Sequence, residues 1–262
     1  MTIRKSSEEN QGGATRRQFA IHTLGGLGAV ALLGACAEDV GGAGGGAAAP
    51  APGLGGEADE GAEALAESAD AVGSCTAYPK QTGGPFYLDL NLVRSDITEG
   101  KPGVPLVIAV QVVRQSAGCA PIQGAAVDLW HADAKGWYSG YTGQGDSHNV
   151  NTTGQTFLRG TQLTDAEGKA RFATIYPGYY RGRTTHAHFK VHLPGNLVVT
   201  TSQLYFPENI TAAVYGTAAY SARGQKDTAN TADGIYRSNH PPLLAVAASG
   251  SGYLGTMIVT VA

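Results

Sequence analysis

Cysteine is scarce in this chain: three residues in 262, at positions 36, 75 and 119, and neither of the latter two lies near a histidine pair. That spacing argues against a thiolate-bound copper centre, which needs a cysteine beside its histidines. Charge is also sparse, with 15% charged residues, a net charge of −3 and no run of lysine or arginine, so the footprint for gripping a phosphate backbone is missing. Nucleic acid is excluded as a partner on that ground. The Gly/Ala-rich apolar stretch from Ala20 to Leu33 is too short to span a bilayer comfortably. No internal repeat suggests a solenoid or propeller, and no long segment of helical period is visible.

What is present begins with a targeting segment. Arg16-Arg17 followed by the Ala20–Leu33 stretch reads as a twin-arginine export signal, and Leu33-Gly34-Ala35-Cys36 reads as a lipobox that would leave Cys36 lipidated, with ordinary cleavage nearby as the alternative. Residues 1–36 are therefore assigned to the signal. Export by this route suits a protein that loads its cofactor before crossing the membrane, and the expected location is periplasmic, extracellular or lipid-anchored, with the anchor as the sole membrane contact. Residues 37–73, rich in Gly and Ala and then Glu and Ala, lack the apolar side chains needed to offset ordering entropy and read as a linker. Residues 74–262 form the domain, long enough to bury one sizeable core. In an oxidising compartment Cys75 and Cys119 are expected to pair, closing a loop worth about 3–4 kcal/mol; two free buried thiols are the alternative.

From Ser74 onward short strand-like runs alternate with Gly, Asn, Asp and Pro clusters. The candidates are 105–113, 125–131, 169–175, 185–193, 202–206 and 254–262. This pattern predicts an all-β fold, a sandwich of mostly antiparallel strands resembling prealbumin. In THAHFKVHL, alternation sends Ala187, Phe189, Val191 and Leu193 toward a core and His186, His188, Lys190 and His192 to the opposite surface. Two imidazoles one residue pair apart make half of a metal site.

Tyrosines supply the other half. TIYPGYYRGR immediately precedes the histidine pair, and WHADAKGWYSGY adds two more tyrosines beside a turn. A phenolate is a hard, strongly donating oxygen that a trivalent metal keeps deprotonated at neutral pH, so Tyr with His points to Fe(III).

Together, QTGGPFY (81–87), DLWHADAKGWYS (128–139), PGYY (177–180), RTTHAH (183–188) and TSQLYF (201–206), in that order, resemble the intradiol ring-cleavage dioxygenases. The resemblance spans about residues 76–262. It implies Fe(III) ligands at Tyr138, Tyr180, His186 and His188, with Tyr179 as a rival to Tyr180. It further implies that Arg183 stabilises charge on the substrate, that Gln203 orients it, and that Gly84 and Pro85 line the substrate pocket. The implied reaction opens a catechol-type ring between its hydroxyl-bearing carbons with O2, giving a muconate-type diacid, with Tyr180 doubling as the base. Two departures stand out: the connection from Tyr180 to His186 is short, so a pocket wall is missing, and no segment matches the helical dimerisation region of catechol dioxygenases. Which catechol is cleaved, and whether the chain forms a homo-oligomer, stay open.

A contrasting expectation is a secreted prealbumin-like binding or spacer module without catalysis, because APIQGAAVDLW and TDAEGKARF could serve only to build strands and turns. The remaining histidines receive plainer readings: His131 as a structural group or one supporting a ligand, His148 in a polar loop, and His192 and His240 as solvated or locally bonded.

Overall fold

The computed structural model describes residues 75–195 and 197–262, so the expected export signal, the expected lipidation at Cys36, the linker and the first residue assigned to the domain, Ser74, lie outside the described residues. Nine strands are described. They are β1 (Pro105–Arg114), β2 (Ala120–Pro121), β3 (Ala126–His131), β4 (Arg159–Leu163), β5 (Lys169–Ile175), β6 (His186–Leu193), β7 (Leu197–Tyr205), β8 (Ala245–Ser249) and β9 (Gly252–Val261). One sheet has five strands in the path β2-β1-β9-β8, with β5 also pairing with β1; the other is a four-stranded antiparallel β4-β3-β6-β7. β1 and β9 run parallel, Leu106 opposite Tyr253 through Arg114 opposite Val261.

Apolar alternation explains the two layers. Ile108, Val110 and Val112 of β1, Phe172 of β5 and Val259 of β9 share one core with Val127 and Leu129 of β3, Phe189 and Val191 of β6 and Leu204 of β7. Burying a side chain such as Phe189 contributes about 1.5–3 kcal/mol, and truncating it to Ala would cost about 3–5 kcal/mol once the cavity is included. Cys75 and Cys119 are joined, with Cα atoms 5.8 Å apart, which ties the entry of the domain to the turn after β1.

The expected sandwich is present, and all six expected strands are there. β2, β4 and β8 were not expected: β2 is only two residues long, and RGTQL of β4 is too polar to read as a strand, yet Thr161 and Arg159 pair with Asp128 and Trp130 of β3. The short helices α1 (Glu208–Tyr215), α2 (Ala218–Ser221) and α3 (Tyr236–Asn239) were also not expected. α1 is eight residues with only Thr211, Val214 and Tyr215 buried, too brief a stripe to register as a period.

One expectation needs correction. The histidine-bearing face of β6 is not a solvated surface: His186, His188 and His192 are all buried. The entering segment crosses over that face, with Gln81 N–H donating to Thr201 O at 2.9 Å and Ser202 Oγ donating to Pro79 O at 2.6 Å. The four-stranded sheet is thus covered on both sides, the inner side by the core and the outer by the segment that carries Gly84 and Phe86.

Candidate metal centre

His186 and His188 project from β6 toward a loop that follows β3. In that loop Tyr138 is fixed from both ends: its N–H donates to Gln144 Oε1 at 2.9 Å and its carbonyl accepts from Thr152 Oγ1 at 2.6 Å. Arg159 clamps the neighbouring residues, donating from Nε to Ser139 Oγ, from Nη2 to Ser139 O and from Nη1 to Phe86 O, each at 2.7 Å. Gly136 makes the approach possible. Its φ is +81°, and a β-carbon there would collide with the carbonyl oxygen of Tyr179, so only glycine lets this loop lie against the segment carrying Tyr180.

These elements bring four donors together. Tyr138 Oη lies 3.3 Å from His186 Nε2, and Tyr180 Oη lies 3.5 Å from the same nitrogen. The two imidazole centroids are 4.8 Å apart and nearly perpendicular. His186 Nδ1 donates to Thr184 O at 2.7 Å, and a carbonyl can only accept, so Nε2 holds the lone pair that faces the phenols. His188 stacks on Trp130 at 5.0 Å with rings 7° from parallel, and its buried Nδ1 has no hydrogen-bond partner.

Burial governs the electrostatics. It holds both imidazoles neutral, with their pKa values well below the ordinary range, and the Arg183 guanidinium adds to the effect at each ring. It pushes the Tyr138 phenol well above its usual value and raises Tyr180 as well, though Arg183 opposes the rise at Tyr180. Two neutral nitrogens and two phenol oxygens in a dry cluster are a donor set for one small, hard cation of high charge, which would supply the charge that ionises the phenols. Among the described residues no group of three His, Cys, Asp or Glu side chains gathers, so any metal here depends on the tyrosines.

Tyr179 leaves the cluster. Its hydroxyl donates to Gln225 O at 3.0 Å and its ring stacks on Tyr215, so of the two adjacent tyrosines only Tyr180 faces the histidines. Arg183 does face them, with Nη1 donating to Tyr180 Oη at 3.2 Å and Nη2 donating to Gln203 Oε1 at 2.6 Å. Gln203 in turn donates from Nε2 to Thr82 O at 3.0 Å. Gly84 sits over His188, where a β-carbon would lie 3.1 Å from Cε1. Pro85 is exposed.

Several neighbours escaped the sequence. Phe86 stacks on Tyr138 at 4.5 Å and meets Tyr180 edge-on at 6.2 Å, so within QTGGPFY the ring that borders the centre is the one after the proline. Asp233, fully buried, grips Arg183 Nε at 2.7 Å from a segment with no motif of its own. His131 is buried between Ala132 O and Thr174 Oγ1, at 2.8 and 2.7 Å. His192, one of the histidines expected to be solvated or locally bonded, is buried and bonded to Asp128 at 2.9 Å.

A family model described as "Dioxygenase" matches residues 82–226, the span that carries all four donors. The chain belongs to the intradiol ring-cleavage dioxygenase family. It is 32% identical over 140 residues to the protocatechuate 3,4-dioxygenase beta chain of Burkholderia cepacia, covering 50% of this chain and 56% of that one. To catechol 1,2-dioxygenase 1 of Acinetobacter lwoffii it is 30% identical over 146 residues, covering 47% and 44%. The chain thus spans about half the length of the curated relatives it matches. An intradiol ring-cleavage dioxygenase from Tetranychus urticae superposes with a TM-score of 0.65 at 27% identity, over 71% of this chain and 95% of that one. The dioxygenase domain of a carbohydrate-binding fusion from Streptomyces sp. SirexAA-E gives 0.51 at 30% identity, over 71% and 97%.

Proposed function

We propose that the domain is a non-haem Fe(III) intradiol dioxygenase that opens a catechol-type ring between its hydroxyl-bearing carbons to a muconate-type diacid. The observation that carries this is the approach of two phenol oxygens to one imidazole nitrogen, 3.3 and 3.5 Å from His186 Nε2. Tyr138, Tyr180, His186 and His188 would hold the iron. Bound there, ferric iron would chelate the diol and make its ring reactive toward O2.

The chain's own residues do the rest. Tyr180 is the half-buried one of the two phenols, and its oxygen is the proposed acceptor of a proton from the diol, within hydrogen-bond reach of Arg183. Arg183 offers a fixed positive charge to the ring as negative charge develops, and a prepositioned donor in a partly dry site can be worth a few kcal/mol. Gln203 keeps Arg183 oriented through its 2.6 Å bond. Phe86 and Trp130 keep water off Tyr138 and His188 by stacking. Gly84, with no side chain, leaves the space over His188 open to substrate.

Export through the Arg16-Arg17 signal, a lipid anchor at Cys36 and a catechol plus O2 as partners complete the proposal. The test is to purify the mature domain, measure iron per chain and visible absorbance, and follow oxygen uptake with a panel of catechols. Tyr138→Phe and His188→Ala should lose both colour and turnover, while Tyr179→Phe keeps the colour. A colourless, iron-free protein without oxygen uptake would refute the proposal and leave the binding module.

A further inference from the structure

Tyr180 and His186 stand on the two legs of one short loop. Arg183 N–H donates to Tyr180 O at 3.2 Å, closing a turn in which Gly182 has φ +79°, and the chain then doubles back into β6. Among the described residues no further backbone hydrogen bond joins residues 176–180 to residues 184–186. A turn fixes where its legs begin but not how far apart they stay. The separation of Tyr180 from His186 therefore needs a group that spans the legs beyond the turn.

Tyr215, the last residue of α1, spans them. A carbonyl oxygen can only accept, so the Tyr215 hydroxyl donates to Pro177 O at 3.0 Å, and its oxygen then takes its 2.6 Å bond from Thr185 Oγ1. Pro177 stands three residues before Tyr180, and Thr185 directly precedes His186. Both are buried and lie outside any strand, where a polar group left without a partner is costly. The Tyr215 ring is stacked between Tyr179 at 5.6 Å and Tyr220 at 5.4 Å, which fixes the direction of its hydroxyl. At 2% exposure, Tyr215 meets no competition from water for these bonds.

We infer that Tyr215 is a positioning residue for the candidate centre, its hydroxyl tying the leg that carries Tyr180 to the leg that carries His186 and so setting the separation of those two donors. Their use as iron ligands rests on the function proposed above; the tie is a property of the metal-free chain. Thr211 supplies the contrast. It is also buried in α1, with Oγ1 2.8 Å from Tyr176 Oη and 2.9 Å from Pro207 O, but these bonds reach one leg only.

The experiment sets Tyr215→Phe, which keeps the ring and removes the tie, against Thr211→Val, which removes a buried hydroxyl of the same helix. Hydrogen exchange across residues 176–186 is followed in the metal-free protein, and affinity for Ga(III), a redox-silent ion of the same charge as Fe(III), is titrated by the ultraviolet absorbance of ionised tyrosine. Tyr215→Phe should speed exchange and weaken gallium binding, each about tenfold or more, as when a group that orients a metal ligand is lost. Thr211→Val should lower the urea midpoint and move neither. Thr185→Val cuts the same tie from the other leg, so adding it to Tyr215→Phe should cost no further affinity. The inference is overturned if Tyr215→Phe and Thr211→Val change exchange and affinity alike, or if the effects of Tyr215→Phe and Thr185→Val add. Should Tyr215→Phe fail to fold, Thr185→Val against Thr211→Val decides. Faster exchange in Tyr215→Phe, in a protein whose native form takes up no gallium and opens no catechol, keeps the tie and refutes ring cleavage. Native exchange, gallium affinity and catechol turnover in Tyr215→Phe do the reverse.

Discussion

Arg183 and Asp233 form a nearly enclosed ion pair, Nε to Oδ2 at 2.7 Å, with the carboxylate at 0% exposure. Asp233 is itself held by three backbone donors: Thr184 N–H at 2.9 Å, Ile235 N–H at 2.8 Å and Tyr236 N–H at 3.0 Å. Burial opposes its ionisation, but the bonds from Thr184 and Tyr236 and the Arg183 guanidinium together keep its pKa below the ordinary carboxylate range. Asp233→Asn preserves the shape and removes the charge. It should cost about 3 kcal/mol of stability, as does breaking a buried pair from one side. Turnover should fall about tenfold or more, as when one prepositioned donor is lost, while iron is retained. Denaturant unfolding, iron content and turnover of the same preparation check this.

Gly84→Ala should damage the centre without unfolding the domain. The residue has φ +64°, where an alanine is strained by about 1–2 kcal/mol, and the new methyl would press on His188 at 3.1 Å. Weakened iron binding and a shifted visible band, with an unchanged far-ultraviolet spectrum, are the expected outcome.

His131 should leave a mark on acid stability. Burial lowers its pKa from 6.5 to about 4, outweighing the Ala132 carbonyl that favours the proton. Between those values the unfolded chain binds a proton that the folded one refuses, so stability rises with pH across the window and falls on acidification, by up to about 3 kcal/mol in all. Urea unfolding at a series of pH values should give a slope about one proton smaller in His131→Gln.

Opening the Cys75–Cys119 bond, whose partners are 44 residues apart, should lower the unfolding free energy by about 2–4 kcal/mol, chiefly through the unfolded chain. Cys119→Ser and reductant should shift the urea midpoint equally, and neither should alter the iron content.

Much of this architecture was legible because it follows from period-two alternation. Ala187, Phe189 and Val191 face the core and the histidines face away, as the pattern of β6 requires. Tyr138, Tyr180 and Arg183 were legible only through ordered motifs that resemble a family, since spacing alone does not say that a loop will fold over a strand. Burial of the histidine face was not legible, because the cover comes from residues 78–87, an irregular segment with no period. Asp233 was invisible for a related reason: it lies in a polar stretch about fifty residues from Arg183, and one carboxylate among 21 acidic residues carries no local signal. Phe86 was quoted within a motif, but a single ring does not announce which neighbour it will stack on.

The side-by-side parallel alignment of β1 and β9 has a consequence for biogenesis. β9 occupies the place between β1 and β8, so while a ribosome is still translating the segment before Gly252, Leu106–Arg114 has no neighbour on that edge. Closure of the larger sheet therefore waits for the strand that starts at Gly252, and long-range pairings of this kind are slow to form. A nascent chain stalled before that point would present a bare, valine-rich edge on which chaperones or aggregation can act.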